Sequence, residues 1–190
     1  MPFTRLCVTA TDGLYSALRG VEPKAVQKVF ERIWVGNERD CRPGDREWAV
    51  VHACKSPCHQ QAVGYRGNLP GSHPHYLSLT RDQDLFLNLV DPRIPLFKPE
   101  SFVAFLDFAD TQWRAGRTLL IHCNQGESRA PSLALLFLAK CRAVLDAGSY
   151  HSARKEFEAL CPGYRPGAGI VAYLSENWGR LGTTSAKTNV

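Results

Sequence analysis

Short continuous apolar runs alternate with longer stripes of helical period along this chain. Ile33-Trp34-Val35 running into Gly36-Asn37, Trp48 to Ala53, and Leu119-Leu120-Ile121 are brief, partly β-branched and bounded by turn residues. That combination predicts buried strands. The Val50-Val51 centre of the second run suits a parallel strand covered on both faces. Tyr76 to Leu79 predicts a further strand and Leu85 to Val90 another strand or a buried segment, on either side of the charged turn Arg81-Asp82-Gln83-Asp84. Helical spacing appears over Pro99 to Ala115, where Phe102, Val103, Phe105, Leu106, Ala109 and Trp113 form one stripe. It recurs over Pro131 to Cys141, from Ser149 or Tyr150 to Leu160, and from Ala168 to Trp178. Glu22 to Phe30 reads as a short helix with Pro23 in its first turn. Leu6-Cys7-Val8 reads as a strand and Thr11-Asp12-Gly13 as a turn. Asp40 to Glu47 is a loop or a frayed helix start, and Gln60 to His75 is broken by glycine and proline.

Strands alternating with helices predict an α/β domain with a central, mostly parallel sheet flanked by helices. At 190 residues, the chain is long enough for one full core. One domain over 1–178 and a flexible polar tail over 179–190 are expected. The net charge of +5 suits an anionic substrate without a long Lys/Arg block, so nucleic acid is not favoured as a partner. Seven cysteines, an odd number, and no signal-peptide pattern at the start predict a reducing, cytoplasmic setting. No stretch is long and apolar enough to predict a membrane span.

The chemistry concentrates where the Leu119-Leu120-Ile121 strand meets the next helix. There the chain reads His122-Cys123-Asn124-Gln125-Gly126-Glu127-Ser128-Arg129-Ala130-Pro131. A strand feeding a helix through a short loop turns backbone N–H groups toward one point, which makes an anion cradle. Backbone donors and Arg129 would stabilise a thiolate at Cys123. The Arg129 fork suits two phosphate oxygens, and a thiolate beneath a phosphoryl group is a nucleophile aimed at phosphorus. Gly126 allows the tight turn, and His122 would orient the loop through its ring.

On His122, Cys123, Gly126 and Arg129 with the following helix, the stretch resembles the signature of cysteine-dependent protein tyrosine phosphatases, especially the small dual-specificity group. The resemblance covers about 33–178. It implies a phosphate-binding loop over Asn124, Gln125, Gly126, Glu127, Ser128 and Arg129, with Cys123 and Arg129 catalytic and no cofactor. It also implies a general-acid aspartate on a loop some thirty residues before the cysteine. Asp91 lies thirty-two residues before Cys123, follows an apolar segment and opens Asp91-Pro92-Arg93-Ile94-Pro95. It is preferred to Asp82 and Asp84, which precede that segment. The sequence departs from the family at Ala130, where a Ser or Thr hydroxyl usually helps the cysteine leave phosphorus. Ser128 or Ser132 would be the substitutes.

The implied substrate is a phosphorylated protein, with phosphotyrosine foremost and phosphoserine or phosphothreonine alongside. The signature loop lacks the lysines of phosphoinositide-directed relatives. An RNA 5′-phosphatase, a phosphoinositide phosphatase, a rhodanese-like sulfurtransferase and a non-enzymatic phosphate-binding module are the alternatives. His52, Cys54, Cys58 and His59 place four borderline-soft ligands within eight residues, which raises zinc. The three-residue gap between the cysteines and the lack of a second cysteine pair favour no metal.

Overall fold

The structure is a computed structural model that describes residues 26–182. Among the described residues six strands form one sheet: β1 (Gln27–Phe30), β2 (Ile33–Gly36), β3 (Trp48–His52), β4 (Ser78–Arg81), β5 (Asp84–Leu87) and β6 (Thr118–His122). Their order across the sheet is β1-β2-β6-β3-β5-β4. The four inner strands are parallel and the two edge pairings are antiparallel. The mostly parallel sheet expected from the apolar runs is therefore present. The α-helices of the described residues are α1 (Gln60–Val63), α2 (Pro99–Arg114), α3 (Arg129–Lys140), α4 (Tyr150–Leu160) and α5 (Ala168–Asn177).

Period-two alternation divides the sheet into two different faces. Ile33, Val35, Ala49, Val51, Leu85, Leu87, Leu119 and Ile121 point to one face and join the main core with residues of α2 to α5. Phe105 and Trp113 of α2 meet the Phe137 ring of α3 edge-on at 6.4 and 6.0 Å. The opposite face carries Trp34, Trp48, His52, Phe86 and His122. There the 37–47 loop folds over the sheet, and Arg42 sits 4.0 Å from the centre of the Trp48 ring.

The helix expected over Glu22 to Phe30 is corrected at its described end. Gln27–Phe30 is an edge strand paired with β2. The segment Gln-Lys-Val-Phe has β-branched and aromatic residues, and sheet pairing overrides its weak helical reading. Residues 22–25 of that expected helix, and those around Leu6 and Thr11, lie outside the described residues. At the other end, Trp178–Arg180 forms a 3₁₀ turn and Leu181 is buried, so the segment after Gly179 begins packed against the core.

Parallel register fixes where a site can form. Gly36, His122 and His52 are paired neighbours, so β2, β6 and β3 end level with one another. The β6–α3 loop emerges at that edge, where open α/β sheets bind ligands.

Candidate active site

Cys123 follows β6 directly and is buried. Its N–H donates to Gly36 O at 3.3 Å, and its Sγ accepts from the N–H of Gly126 at 3.3 Å. Gly126 has φ +72°, and a Cβ there would stand 2.9 Å from Gly36 O. Glycine is thus required twice over, by the left-handed backbone and by the strand end against which the loop turns. Glu38 N–H donates to Asn124 O, and Arg165 N–H donates to Glu127 O, so both sides of the loop are held.

Arg129 opens α3 and is 7 % exposed. Its Nη1 donates to Ala53 O and Leu89 O, both at 3.0 Å, and its Nη2 donates to Asn124 Oδ1 at 2.8 Å. Ala53 follows β3 and Leu89 follows β5, so the guanidinium is clamped by two strand ends. Its Nε is buried with no hydrogen-bond partner among the described residues. Asp91 Oδ2 lies 4.0 Å from that Nε. The Nε–Nη2 edge is therefore a donor edge with capacity for an anion.

Asp91 stands on the loop between β5 and α2. It packs on Gly167, where a Cβ would meet Asp91 Oδ1 at 2.4 Å. A Cβ on Gly169 would meet Pro92 O at 2.3 Å, so the N-terminal end of α5 seats this loop closely. The structure brings Asp91 to Arg129 and places its rivals elsewhere. Asp82 has φ +52° in the β4–β5 turn, and Asp84 bonds His52 and the Gly44 N–H.

Ala130 is fully buried. Ser128 Oγ accepts from Gly167 N–H at 2.9 Å, and Ser132 Oγ bonds the Tyr164 hydroxyl at 2.8 Å. Both candidate substitute hydroxyls are thus engaged with α5's approach or with the core. Sequence reasoning missed Gly36, Gly167 and the anchoring role of the Asn124 side chain. Gly36-Asn37 directly after a predicted strand was the available signal for the first.

His122 does not bond the loop through its ring. Its Nε2 lies 2.7 Å from His52 Nδ1, and its Nδ1 has no partner among the described residues. His52 Nε2 in turn meets Asp84 Oδ1 at 3.0 Å. Cys41 Sγ lies 3.6 Å from His52 Nδ1 and 3.9 Å from Cys58 Sγ. Burial opposes charge on His52, but Asp84 and Cys41 together outweigh it and raise its pKa to about 9. Burial lowers that of His122. The Cys58 thiol pulls the Cys41 pKa down, against burial, while its own is pushed up by Cys41 and Cys54. His59 is occupied elsewhere: Nε2 donates to His75 O at 2.9 Å, leaving Nδ1 to accept from Tyr65 Oη at 3.0 Å.

No protein-family model matches the chain, and no curated protein matches it in sequence. Solved structures do match. Human DUSP28 is 16 % identical over 84 % of this chain and 96 % of its own, with a TM-score of 0.56. The human tyrosine phosphatase-like serine/threonine/tyrosine-interacting protein is 17 % identical over 82 % of this chain and 96 % of its own, also at 0.56. The PTP-2 phosphatase of Cydia pomonella is 16 % identical over 80 % and 89 %, at 0.55. The chain therefore has the fold of the protein tyrosine phosphatases, a mostly parallel sheet flanked by helices.

Proposed function

We propose, from a phosphatase-type fold and the residues at its sheet edge, that this chain hydrolyses phosphomonoesters through a phosphocysteine at Cys123. The Cys123 thiolate attacks phosphorus as the ester oxygen departs. Asp91 protonates that oxygen. Asp91, now a carboxylate, takes a proton from water as the water attacks the phosphocysteine, and inorganic phosphate leaves. Arg129 and the loop N–H groups from Asn124 to Arg129 stabilise the equatorial oxygens through both steps. The Arg129 guanidinium supports this reading best: three of its contacts fix it, and the unpartnered Nε lies beside Asp91 at the Cys123 loop.

A phosphorylated protein is the substrate class this site favours. Val90, Ile94 and Leu96 are exposed on the Asp91 loop, an apolar rim suited to a peptide rather than to an inositol polyphosphate. Glu127 in the signature loop disfavours a second phosphate nearby. We assign phosphotyrosine as the main substrate, with phosphothreonine and phosphoserine accepted. Ala130 favours a second reading, a phosphate-binding module that turns over slowly, because no hydroxyl follows Arg129.

Matched phosphotyrosine, phosphothreonine and inositol phosphate substrates test both. The expected result is turnover of the phosphopeptides, abolished in Cys123→Ser with oxyanion binding retained. Preference for inositol phosphates would reject the substrate class. Binding without turnover of any substrate would select the module.

A further inference from the structure

Four potential ligands converge on the sheet face opposite the main core. Cys41, His52, Cys58 and His122 each offer one donor atom, and these atoms all lie within 4.8 Å of one another. His52, Cys58 and His122 are buried and Cys41 is half-buried. They come from four segments: the 37–47 loop, the end of β3, the Lys55–His59 turn and the end of β6. We propose that this group is a structural zinc site. It lies outside the phosphate cradle and is independent of the reaction assigned to that cradle.

Two of the donor separations match a tetrahedral ion. With Zn–S of about 2.3 Å and Zn–N of about 2.0–2.1 Å, two sulfurs stand about 3.8 Å apart and sulfur and nitrogen about 3.6 Å. The Cys41–Cys58 sulfurs are 3.9 Å apart, and Cys41 Sγ is 3.6 Å from His52 Nδ1. The two ring nitrogens, at 2.7 Å, are closer than the roughly 3.3 Å of a tetrahedral pair, and a small rotation of one ring opens that gap.

Asp84 selects the tautomer of His52 that the site needs. Asp84 accepts from His52 Nε2, so in the neutral ring the Nδ1 lone pair is directed into the group. A carboxylate behind a histidine is the usual outer support of a zinc ligand. Asp84 also accepts the Gly44 N–H at 2.8 Å, which ties it to the loop carrying Cys41. Phe86 stacks on the His52 ring at 4.3 Å and fixes its plane. Two thiolates balance a divalent cation, so the occupied centre is neutral, as burial demands. Two sulfur and two imidazole donors in tetrahedral array select zinc over harder cations. Four protein ligands close the coordination, so its role is to hold structure.

The consequence is mechanical. His122 is the residue before Cys123, so the ion would clamp the strand end from which the phosphate loop springs. It would also fasten two loops to a sheet face that no long helix among the described residues covers.

The test uses the full chain without a polyhistidine tag, purified under thiol reductant from zinc-supplemented cells. Elemental analysis should give about one zinc per chain. Cobalt exchanged into the chain should show the intense visible bands of a tetrahedral ion with thiolate charge transfer. Cys41→Ser and Cys58→Ser should lose both signals, while Cys141→Ser and Cys123→Ser keep them. Should a ligand variant not fold, alkylation of the wild-type chain decides: zinc should protect Cys41 and Cys58, and a chelator should expose them. Absence of stoichiometric metal and of the cobalt spectrum in wild type overturns the proposal. So does an unchanged cobalt spectrum in Cys41→Ser, or zinc protection confined to Cys54.

Discussion

Replacing Arg129 with Lys separates the arginine's two duties. The guanidinium now donates twice to strand-end carbonyls and once to Asn124. Lysine supplies a point charge without the fork. Leu89 O keeps the Lys55 N–H at 2.8 Å, so Ala53 O is the acceptor put at risk. An orphaned buried acceptor costs about 1–3 kcal/mol. For a chain of this size that lowers the melting temperature by about 2–12 °C. The kinetic loss is larger. Removing donors from a developing oxyanion costs about 2.7–4 kcal/mol, or about 10²–10³ in kcat. A third readout is more specific. An oxyanion such as tungstate at a hundredfold its Kd should stabilise wild type by about 2.7 kcal/mol, and Arg129→Lys should lose most of that gain. Thermal melts with and without tungstate, together with aryl phosphate turnover, measure all three. An Arg129→Lys protein that keeps both the tungstate shift and near wild-type turnover would refute the role given to this side chain.

Asp91→Asn should reduce turnover by about 10²–10⁴ with a phenyl or alkyl leaving group and far less with an activated one; equal losses would point to a structural role for Asp91. Wild type mixed rapidly with an activated aryl phosphate should show a burst near the enzyme concentration, and Ala130→Ser should speed the slow phase more than the burst. No burst, with turnover unchanged in Ala130→Ser, would mean that breakdown of the intermediate is not limited by the missing hydroxyl. Gly126→Ala combines a left-handed cost of about 1–2 kcal/mol with about 1–3 kcal/mol of crowding against the rigid Gly36 carbonyl. Denaturant melts should show a combined loss of about 2–5 kcal/mol with turnover impaired, and a neutral result would mean the loop relaxes without effect.

The local part of the fold was readable because its signals are local. Leu119 to Ile121, the glycine in the loop and the Leu-rich stripe behind Pro131 each report on neighbours a few residues away. Asp91 could be ranked above Asp82 and Asp84 because it follows the apolar segment. The cluster on the opposite face could not be read that way. His52 and Cys58 were visible as soft ligands, but their partners Cys41 and His122 arrive through strand register and a loop fold. The same sequence window offered Cys54 and His59, and His59 uses both ring nitrogens for Tyr65 and His75. The strand at Gln27–Phe30 was misread because four residues at a sheet edge carry too little periodicity to outweigh a helix-like start.

Acid quenching within the burst tests the assignment of Cys123 most directly. Wild-type protein mixed with an activated aryl phosphate, stopped in acid and digested, is analysed by mass spectrometry for a phosphorylated peptide. The expected result is one phosphoryl group on Cys123, at a level matching the burst amplitude and absent from Cys123→Ser. Turnover with the phosphoryl group on another residue, or with unmodified Cys123 despite a full burst of leaving group, would contradict the account.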